Sequence, residues 1–201
     1  MSNTHLIDIF KVGIYQVQLD IDNQKLYDFC KNHQTHDEGR VISNVGGYQS
    51  NFLNFQDKLL QPLSKEIEKH STKYLKDVLK GHWSQSLSDM WININNYKDT
   101  NLVHNHPGSE ISGVYYVKVP ENSGCIVFRH PASSELNHYY YNTMNLGERE
   151  WDSYTASHWE MPVTERVLYL FPSWLNHYVS PSHNKTEERI SLAFNTYHKG
   201  E

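Results

Sequence analysis

A change of hydrophobic period near residue 89 constrains the fold of this chain more than any other feature. From that point to the C-terminus, apolar and β-branched side chains recur at every second position, which is the period of a half-buried strand. Runs of this kind occupy residues 91–97, 112–119, 125–129, 167–171 and 189–197. Short strands separated by turns are typical of an antiparallel sandwich or barrel. We also predict that residues 120–124, which end in a glycine, form a tight hairpin connection between the second and third runs.

The first 88 residues predict one strand and two helices. Residues 14–19 alternate loosely, and Asp22 then offers a side chain that can cap a short amphipathic helix. Asp57 is the predicted cap of a longer helix, whose apolar side chains recur at three- and four-residue steps until Gly81. We therefore predict a single domain over residues 1–201, mainly β with N-terminal helices. Residues 1–88 would supply the leading strand and supporting helices, and residues 89–201 the β core.

Composition and charge exclude several classes of protein. The 201 residues are 38% hydrophobic, which is enough to bury a core. The formal net charge is -5 and the chain has no basic run, so a nucleic-acid-binding surface is not expected. No uninterrupted apolar stretch approaches the ~18 residues that a membrane span needs. Cys30 and Cys125 are isolated thiols without a disulfide framework, so we expect a soluble protein of a reducing cytoplasm.

The last predicted strand divides its side chains cleanly between two faces. Ile190, Leu192 and Phe194 lie on one face, and Arg189, Ser191, Ala193 and Asn195 lie on the other. An arginine and a serine two residues apart present a fork of donors and a hydroxyl, which suits a carboxylate. If the apolar face packs under the N-terminal helices, the polar face looks into the barrel. The alternative is an edge strand with its polar face in water.

Histidine is unusually frequent, with 13 in the chain, and three of these residues form a pattern. His104 and His106 are two residues apart on an extended segment, so both imidazoles project to the same side and can meet one metal ion. His177 lies 12 residues before Arg189. A His-x-His pair arises easily by chance, but a third histidine upstream of an Arg-x-Ser strand makes the pattern more specific.

The order of these motifs resembles the iron(II)- and 2-oxoglutarate-dependent oxygenases of the double-stranded β-helix (jelly-roll, cupin-like) fold. The closest resemblance is to a family of 2-oxoglutarate/iron oxygenases from marine bacteria and cyanophages, which would place a phage-encoded protein in the host cytoplasm. Four strings carry the resemblance: HNHPGS at 104–109, SGVYYV at 112–117, FPSWLNHYV at 171–179 and RISLAFN at 189–195. It spans about residue 90 to the C-terminus.

The resemblance implies a dioxygenase that uses Fe(II), 2-oxoglutarate and O2, and a hydroxylase that couples decarboxylation of 2-oxoglutarate to oxidation of a substrate C–H bond. It makes His177 the distal iron ligand and Arg189 the partner of the C5 carboxylate of 2-oxoglutarate. Ser191 becomes a second donor to that carboxylate. Tyr116 is similar to a strand tyrosine of prolyl-hydroxylase-type enzymes that binds the same group, and a core tyrosine is the alternative for it.

The chain departs from the superfamily pattern because His106 stands where an aspartate or glutamate is expected. We favour a triad of His104, His106 and His177, since imidazole suits ferrous iron. In a second interpretation, His106 is the first ligand of a halogenase-type site in which Gly108 leaves a coordination position open. In a third, Glu110 supplies the carboxylate. A non-catalytic jelly-roll module that binds a ligand is the competing class of protein, and it predicts no requirement for Arg189.

The substrate, a small molecule or a peptide side chain, is expected to meet an aromatic-rich insertion at residues 130–160. Long loops of this kind are often lids or binding loops. Its candidates for stacking on a substrate are Tyr139, Tyr140, Tyr141, Trp151 and Trp159. Asn93 and Tyr97 are candidates for lining the other side of the cavity.

Overall fold

Two antiparallel sheets form the body of the protein in the computed structural model, which describes residues 5, 7–139 and 152–198. With strands numbered along the chain, the larger sheet has the spatial order β1 (Tyr15–Gln18), β9 (Val167–Pro172), β6 (Ile111–Lys118), β11 (Arg189–His198), β4 (Gln85–Asn95) and β3 (Tyr48–Gln49). The smaller sheet has the order β2 (Asn44–Val45), β5 (Thr100–His104), β10 (His177–Val179), β7 (Ile126–Arg129) and β8 (His158–Glu160). All these neighbours pair antiparallel, which confirms the predicted mainly β fold.

The described helices are few: α1 (Asn23–Gln34), α2 (Gln61–Tyr74), which continues into a π-helical turn (Leu75–Leu79), and α3 (Ser133–Asn137). Asp22 caps α1 as predicted, because its carboxylate accepts from the backbone N–H of Lys25 at 3.3 Å. The predicted cap Asp57 is wrong for α2, since its carboxylate accepts from the N–H of Leu59 in the turn before the helix. Pro62 lies in the first turn of α2, where its fixed φ favours a helix start.

Helices α1 and α2 cover the outer face of the larger sheet. The apolar face of β11, formed by Ile190, Leu192 and Phe194, is fully buried in one cluster with side chains of both helices, such as Leu26 and Leu63. The opposite face of β11 looks into the space between the sheets, as the alternation predicts.

A glycine in the SGVYYV string allows β6 and β11 to pack closely. A Cβ atom on Gly113 would lie 2.6 Å from the carbonyl oxygen of Tyr169 and would also overlap the ring of Phe194. No larger residue fits there without a shift of the sheet, so this position is set by packing.

The predicted hairpin at residues 120–124 is wrong. β6 belongs to the larger sheet and β7 to the smaller one, so the segment crosses between the sheets. Gly124 makes the crossing possible, because its φ is +77° and a Cβ atom would overlap the carbonyl oxygen of Ser180. The crossing also places the carbonyl oxygen of Ser123 against the guanidinium of Arg189, at 2.8 Å.

The N-terminal part of the chain adds strands as well as helices. β2 pairs with β5 in the smaller sheet and β3 pairs with β4 in the larger one, so residues 44–49 connect the two sheets at one edge. Gly46 and Gly47 form the turn between them, with φ values of +70° and +66°. A Cβ on Gly47 would lie 2.7 Å from the carbonyl oxygen of Ile94, so the connection passes close over β4.

The described part of the 130–160 insertion contains α3 and β8, and β8 extends the smaller sheet beside β7. Tyr140, Tyr141 and Trp151 lie outside the described residues. None of the helices seen in the described ranges has the length and apolar character needed to cross a membrane.

Candidate metal centre

Three histidines converge at one end of the smaller sheet. His104, the last residue of β5, is the direct cross-strand partner of His177, the first residue of β10. His106 follows two residues later and points to the same side, so each of the three offers a ligand atom within 4.8 Å of the others. Their ring centroids are 4.4–5.2 Å apart. The predicted cluster of three histidines is therefore present in the fold.

Backbone carbonyls fix the tautomers of two of these rings. The Nδ1 of His104 donates to the carbonyl oxygen of Leu102 at 2.6 Å, and that of His177 donates to Leu175 at 2.9 Å. A carbonyl oxygen only accepts, so each Nδ1 carries the proton and each Nε2 keeps a free lone pair.

A side-chain relay fixes the third ring. The amide nitrogen of Asn195 donates to the carboxylate of Asp89 at 2.8 Å, which sets the orientation of the amide because a carboxylate only accepts. The amide oxygen therefore faces His106 and accepts from its Nδ1 at 2.6 Å and from the hydroxyl of Ser112 at 2.7 Å. His106 therefore has the same tautomer as the other two rings. The amide of Asn195 links its ring to the carboxylate of Asp89.

Burial keeps the three rings neutral. It lowers the pKa of His104, lowers that of His106 to about 4 and lowers that of His177 to about 3. Neutral imidazoles with free Nε2 lone pairs are ligands for a divalent transition metal. The donor set therefore fits a metal ion such as iron(II).

The histidines open into a cavity of about 560 Å³ between the two sheets. Arg189 lines it and is only 2% exposed. Its Nη1 donates to the carbonyl of Ser123 at 2.8 Å and its Nη2 to the side-chain oxygen of Asn95 at 3.0 Å, while its Nε has no partner. Within the described ranges, no carboxylate oxygen lies within 4.0 Å of this guanidinium. A buried unpaired charge is costly, so the cavity is suited to an anion.

Ser191 and Tyr116 lie beside this arginine on the same wall. Ser191 pairs in register with Tyr116 on β6 and with Asn93 on β4, and all three line the cavity. Burial raises the pKa of Tyr116, so its phenol stays protonated and able to donate a hydrogen bond. Of the two residues predicted to line the other side of the cavity, Asn93 does so. Tyr97 does not line it; this residue follows the end of β4 and is 41% exposed.

The structure does not bring Glu110 into the histidine cluster. Its carboxylate accepts from Trp83 Nε1 at 3.0 Å and from Gln85 Nε2 at 2.6 Å, away from the three imidazoles. Gly108 lies in a turn with φ +90°. Because His104 is the third member of the cluster, the halogenase-type arrangement, with His106 as first ligand and Gly108 beside an open position, is not needed to complete it. The geometry therefore favours the all-histidine triad over both alternatives.

Sequence reasoning missed five cavity residues from the N-terminal third: Arg40, Ile42, Ser43, Gln49 and Phe52. Arg40, Gln49 and Phe52 line the mouth, on the chain that runs between α1 and α2. The only local signal for this segment is its Gly-Gly turn, because two-residue strands are too short to show a period. By contrast, no residue of the described part of 130–160 lines the cavity, so the predicted lid is not seen there.

A family model described as "Putative 2OG-Fe(II) oxygenase" matches residues 89–195, which is 107 of the 201 residues. The chain belongs to this family. It is a 2-oxoglutarate-dependent Fe(II) oxygenase, and its cofactors are iron(II), 2-oxoglutarate and O2. No curated protein matches it in sequence.

Several solved structures share the fold at low sequence identity. A prolyl-4-hydroxylase of Pseudomonas putida has a TM-score of 0.63 at 11% identity, with 94% of each chain covered. HygX of Streptomyces hygroscopicus, solved with nickel and 2-oxoglutarate bound, has a TM-score of 0.62 at 9% identity, covering 94% of this chain and 84% of its own. A collagen prolyl hydroxylase of Paramecium Bursaria Chlorella virus-1 has a TM-score of 0.56 at 11% identity, covering 91% and 94%. These likenesses show the fold.

Proposed function

We propose that the protein is a hydroxylase in which His104, His106 and His177 hold the iron, and in which Arg189, with Ser191 and Tyr116, holds the C5 carboxylate of 2-oxoglutarate. One observation carries the proposal: a buried guanidinium without an acidic partner shares a cavity with three histidines whose Nε2 lone pairs are free. The guanidinium is suited to an anion, and the three histidines are suited to a metal ion. An iron ion and a carboxylate cosubstrate that chelates it would satisfy both.

Bound iron(II) supplies the activation of O2 that couples decarboxylation of 2-oxoglutarate to oxidation of a substrate C–H bond. In the overall reaction one oxygen atom enters the substrate as a hydroxyl group, and the other enters succinate as CO2 is released. The part played by the protein is binding, orientation and exclusion of water.

Apolar rings shield the innermost histidine. His177 is 4% exposed, and the centroid of its ring lies 4.7 Å from that of Phe171. Phe128 packs on Phe171, with 4.9 Å between the ring centroids, and extends the apolar wall. This wall keeps bulk water from one side of the site and strengthens the electrostatic interactions inside it.

The absence of a carboxylate among the three histidines leaves more positive charge at the metal. That charge attracts a dianionic cosubstrate more strongly than a site with a carboxylate ligand does. Asp89 partly offsets this positive charge, because its carboxylate polarises His106 through the amide of Asn195.

The test is an anaerobic titration of the apoprotein with iron(II) and 2-oxoglutarate, which gives a weak visible charge-transfer band when the chelate forms. We expect the band in the wild type, its loss in His177→Ala, and a large rise in the 2-oxoglutarate concentration needed in Arg189→Gln. Arg166→Gln is the matched control, because this arginine is partly exposed beside Asp20 and does not line the cavity. Absence of a band in the folded wild type, or equal affinity in Arg189→Gln, would overturn the assignment.

A second measurement addresses hydroxylation itself. Under oxygen-18 gas, a hydroxylase transfers one labelled atom to its substrate for each succinate formed. A substrate that gains halogen from added chloride instead would support the halogenase-type interpretation.

A further inference from the structure

A second guanidinium without an acidic partner, that of Arg40, lies at the mouth of the cavity. The Cζ atom of Arg40 lies 4.0 Å above the ring centroid of Phe52, and its Nε is buried without a hydrogen-bond partner. Across the part of the chain that the structure describes, no carboxylate oxygen lies within 4.0 Å of this group. The cavity therefore contains two arginines that the protein itself does not neutralise.

The nearest acids to Arg40 are already engaged. Asp37 and Asp89 act on Arg40 only from a distance, where they oppose the lowering of its pKa by burial. The carboxylate of Asp37 accepts from the hydroxyl of Tyr48 at 2.7 Å. That of Asp89 accepts from Asn195 at 2.8 Å. The donors of Arg40 therefore remain available to a ligand in the cavity.

Gln49 adds an acceptor beside this donor. Its side chain is 5% exposed and lines the cavity, and its Oε1 is buried with no hydrogen-bond partner. The backbone N–H of Arg40 donates to the carbonyl of Gln49 at 2.8 Å, so the two residues are neighbours. A buried amide oxygen without a donor is costly, and it is satisfied if a ligand brings an N–H group.

This pair lies apart from the proposed cosubstrate carboxylate site. Gln49 pairs with Asn93, and Asn93 pairs with Ser191 on the next strand. The backbone of Arg40 is therefore three strand spacings from that of Ser191, roughly 14 Å. A five-carbon diacid that places one carboxylate at the metal and the other at Arg189 and Ser191 has no carboxylate left for Arg40.

An aromatic path leads from Arg40 to the histidines. The ring of Phe52 lies 6.1 Å from that of Trp91, and Trp91 lies 5.6 Å from His106, measured between centroids. Phe52 is 59% exposed at the mouth, while Trp91 is 8% exposed within it. An apolar chain laid along these two rings would run from the guanidinium to the metal centre.

We propose that Arg40 and Gln49 bind the substrate, and that this substrate is a small carboxylic acid with an N–H group next to its carboxylate and an apolar chain. Arg40 pairs with the carboxylate, Gln49 accepts from the N–H, and the chain lies along Phe52 and Trp91 with a C–H bond toward His106. A single guanidinium suits a monoanionic carboxylate better than a phosphate dianion, because no second cation stands beside it. The inference rests on the proposed function, since it takes the three histidines as the iron site.

The test uses a panel of straight-chain N-acylglycines with two to eight acyl carbons, each with its glycinamide analogue. Binding is measured by isothermal titration to protein loaded with nickel(II) and 2-oxoglutarate, so that no turnover occurs. We expect at least one acid to bind and its amide to bind about tenfold more weakly or worse. Arg40→Gln should weaken the acid by a similar factor without changing the amide. Gln49→Leu should weaken both several-fold, and Arg166→Gln neither.

Several outcomes would overturn the inference. They are the absence of binding by every acid and equal binding of acid and amide. Loss of the 2-oxoglutarate band in Arg40→Gln would also overturn it, because Arg40 would then serve the cosubstrate. Thermal melting checks that each variant is folded, and Arg40→Lys should retain part of the binding. If the wild type shows no band, the proposed function fails; if the band forms but no acid binds, only this inference fails.

Discussion

The amide of Asn195 joins the metal centre to a carboxylate, and replacing it should weaken metal binding. Asn195→Leu keeps a side chain of similar size but removes the acceptor of the His106 Nδ1 proton and the donor to Asp89. His106 would then lose its fixed tautomer and ring orientation. Loss of a group that hydrogen-bonds a metal-binding histidine costs about 10–100-fold in metal affinity, which is about 1.4–2.7 kcal/mol.

The same substitution removes three hydrogen bonds, including the one from Ser112 at 2.7 Å. At about 1 kcal/mol each, we expect the free energy of unfolding to fall by about 2–4 kcal/mol. Ser112→Ala is the matched control, because it removes the bond to Asn195 and a second bond to the hydroxyl of Ser173 at 2.8 Å without touching His106. It should cost about 2 kcal/mol of stability and leave metal affinity nearly unchanged.

The assay is competition for nickel(II) with a chromophoric chelator, at a temperature where melting curves show both variants to be folded. A folded Asn195→Leu protein whose nickel affinity stays within about threefold of the wild type would refute the positioning role of this amide.

Three further predictions test other parts of the structure. Gly113→Ala should destabilise the fold by about 1–3 kcal/mol in urea unfolding, because the new methyl group overlaps the Phe194 ring; unchanged stability would contradict the close packing of β6 and β11. Glu110→Gln should leave nickel affinity unchanged, and a tenfold loss would restore this residue as a ligand. For Asp37, burial raises the pKa but hydrogen bonds from Asn51 and Tyr48 outweigh it and lower the value to about 2. The stability that this ionised group contributes is present above its unfolded pKa of 3.8 and is lost as the pH falls toward 2, so the deficit of Asp37→Ala in urea unfolding should shrink over that window.

The sequence was most informative where the side-chain pattern is long. The nine residues at 189–197 alternate strongly enough to place Arg189 and Ser191 on one face of β11, and the neighbouring histidine motifs favoured the cavity over water for that face. The pair His104 and His106 was visible because residues two apart on an extended chain share a side.

Features that depend on distant partners could not be predicted in the same way. A five-residue turn ending in Gly124 is compatible with a hairpin and with a crossing between sheets, and only the pairing partners of β6 and β7 decide between them. Asp57 has a suitable capping side chain, but Pro62 sets the start of α2 further along. Gln49 reaches the cavity from a strand of two residues and Arg40 from irregular chain before β2, and neither segment has a readable period.

The connection at residues 44–49 has a consequence for how this enzyme can change. Because β2 and β3 pair with different sheets across a short glycine turn, this piece of chain sets how far apart the sheets stand at the mouth. His104 and His177 lie on the paired strands β5 and β10, and His106 lies just after β5, so the spacing of the histidines is set mainly by that pairing. On the proposal that Arg40 and Gln49 bind the substrate, insertions or substitutions within residues 40–52 should alter which molecules bind more than they alter the spacing of the histidines.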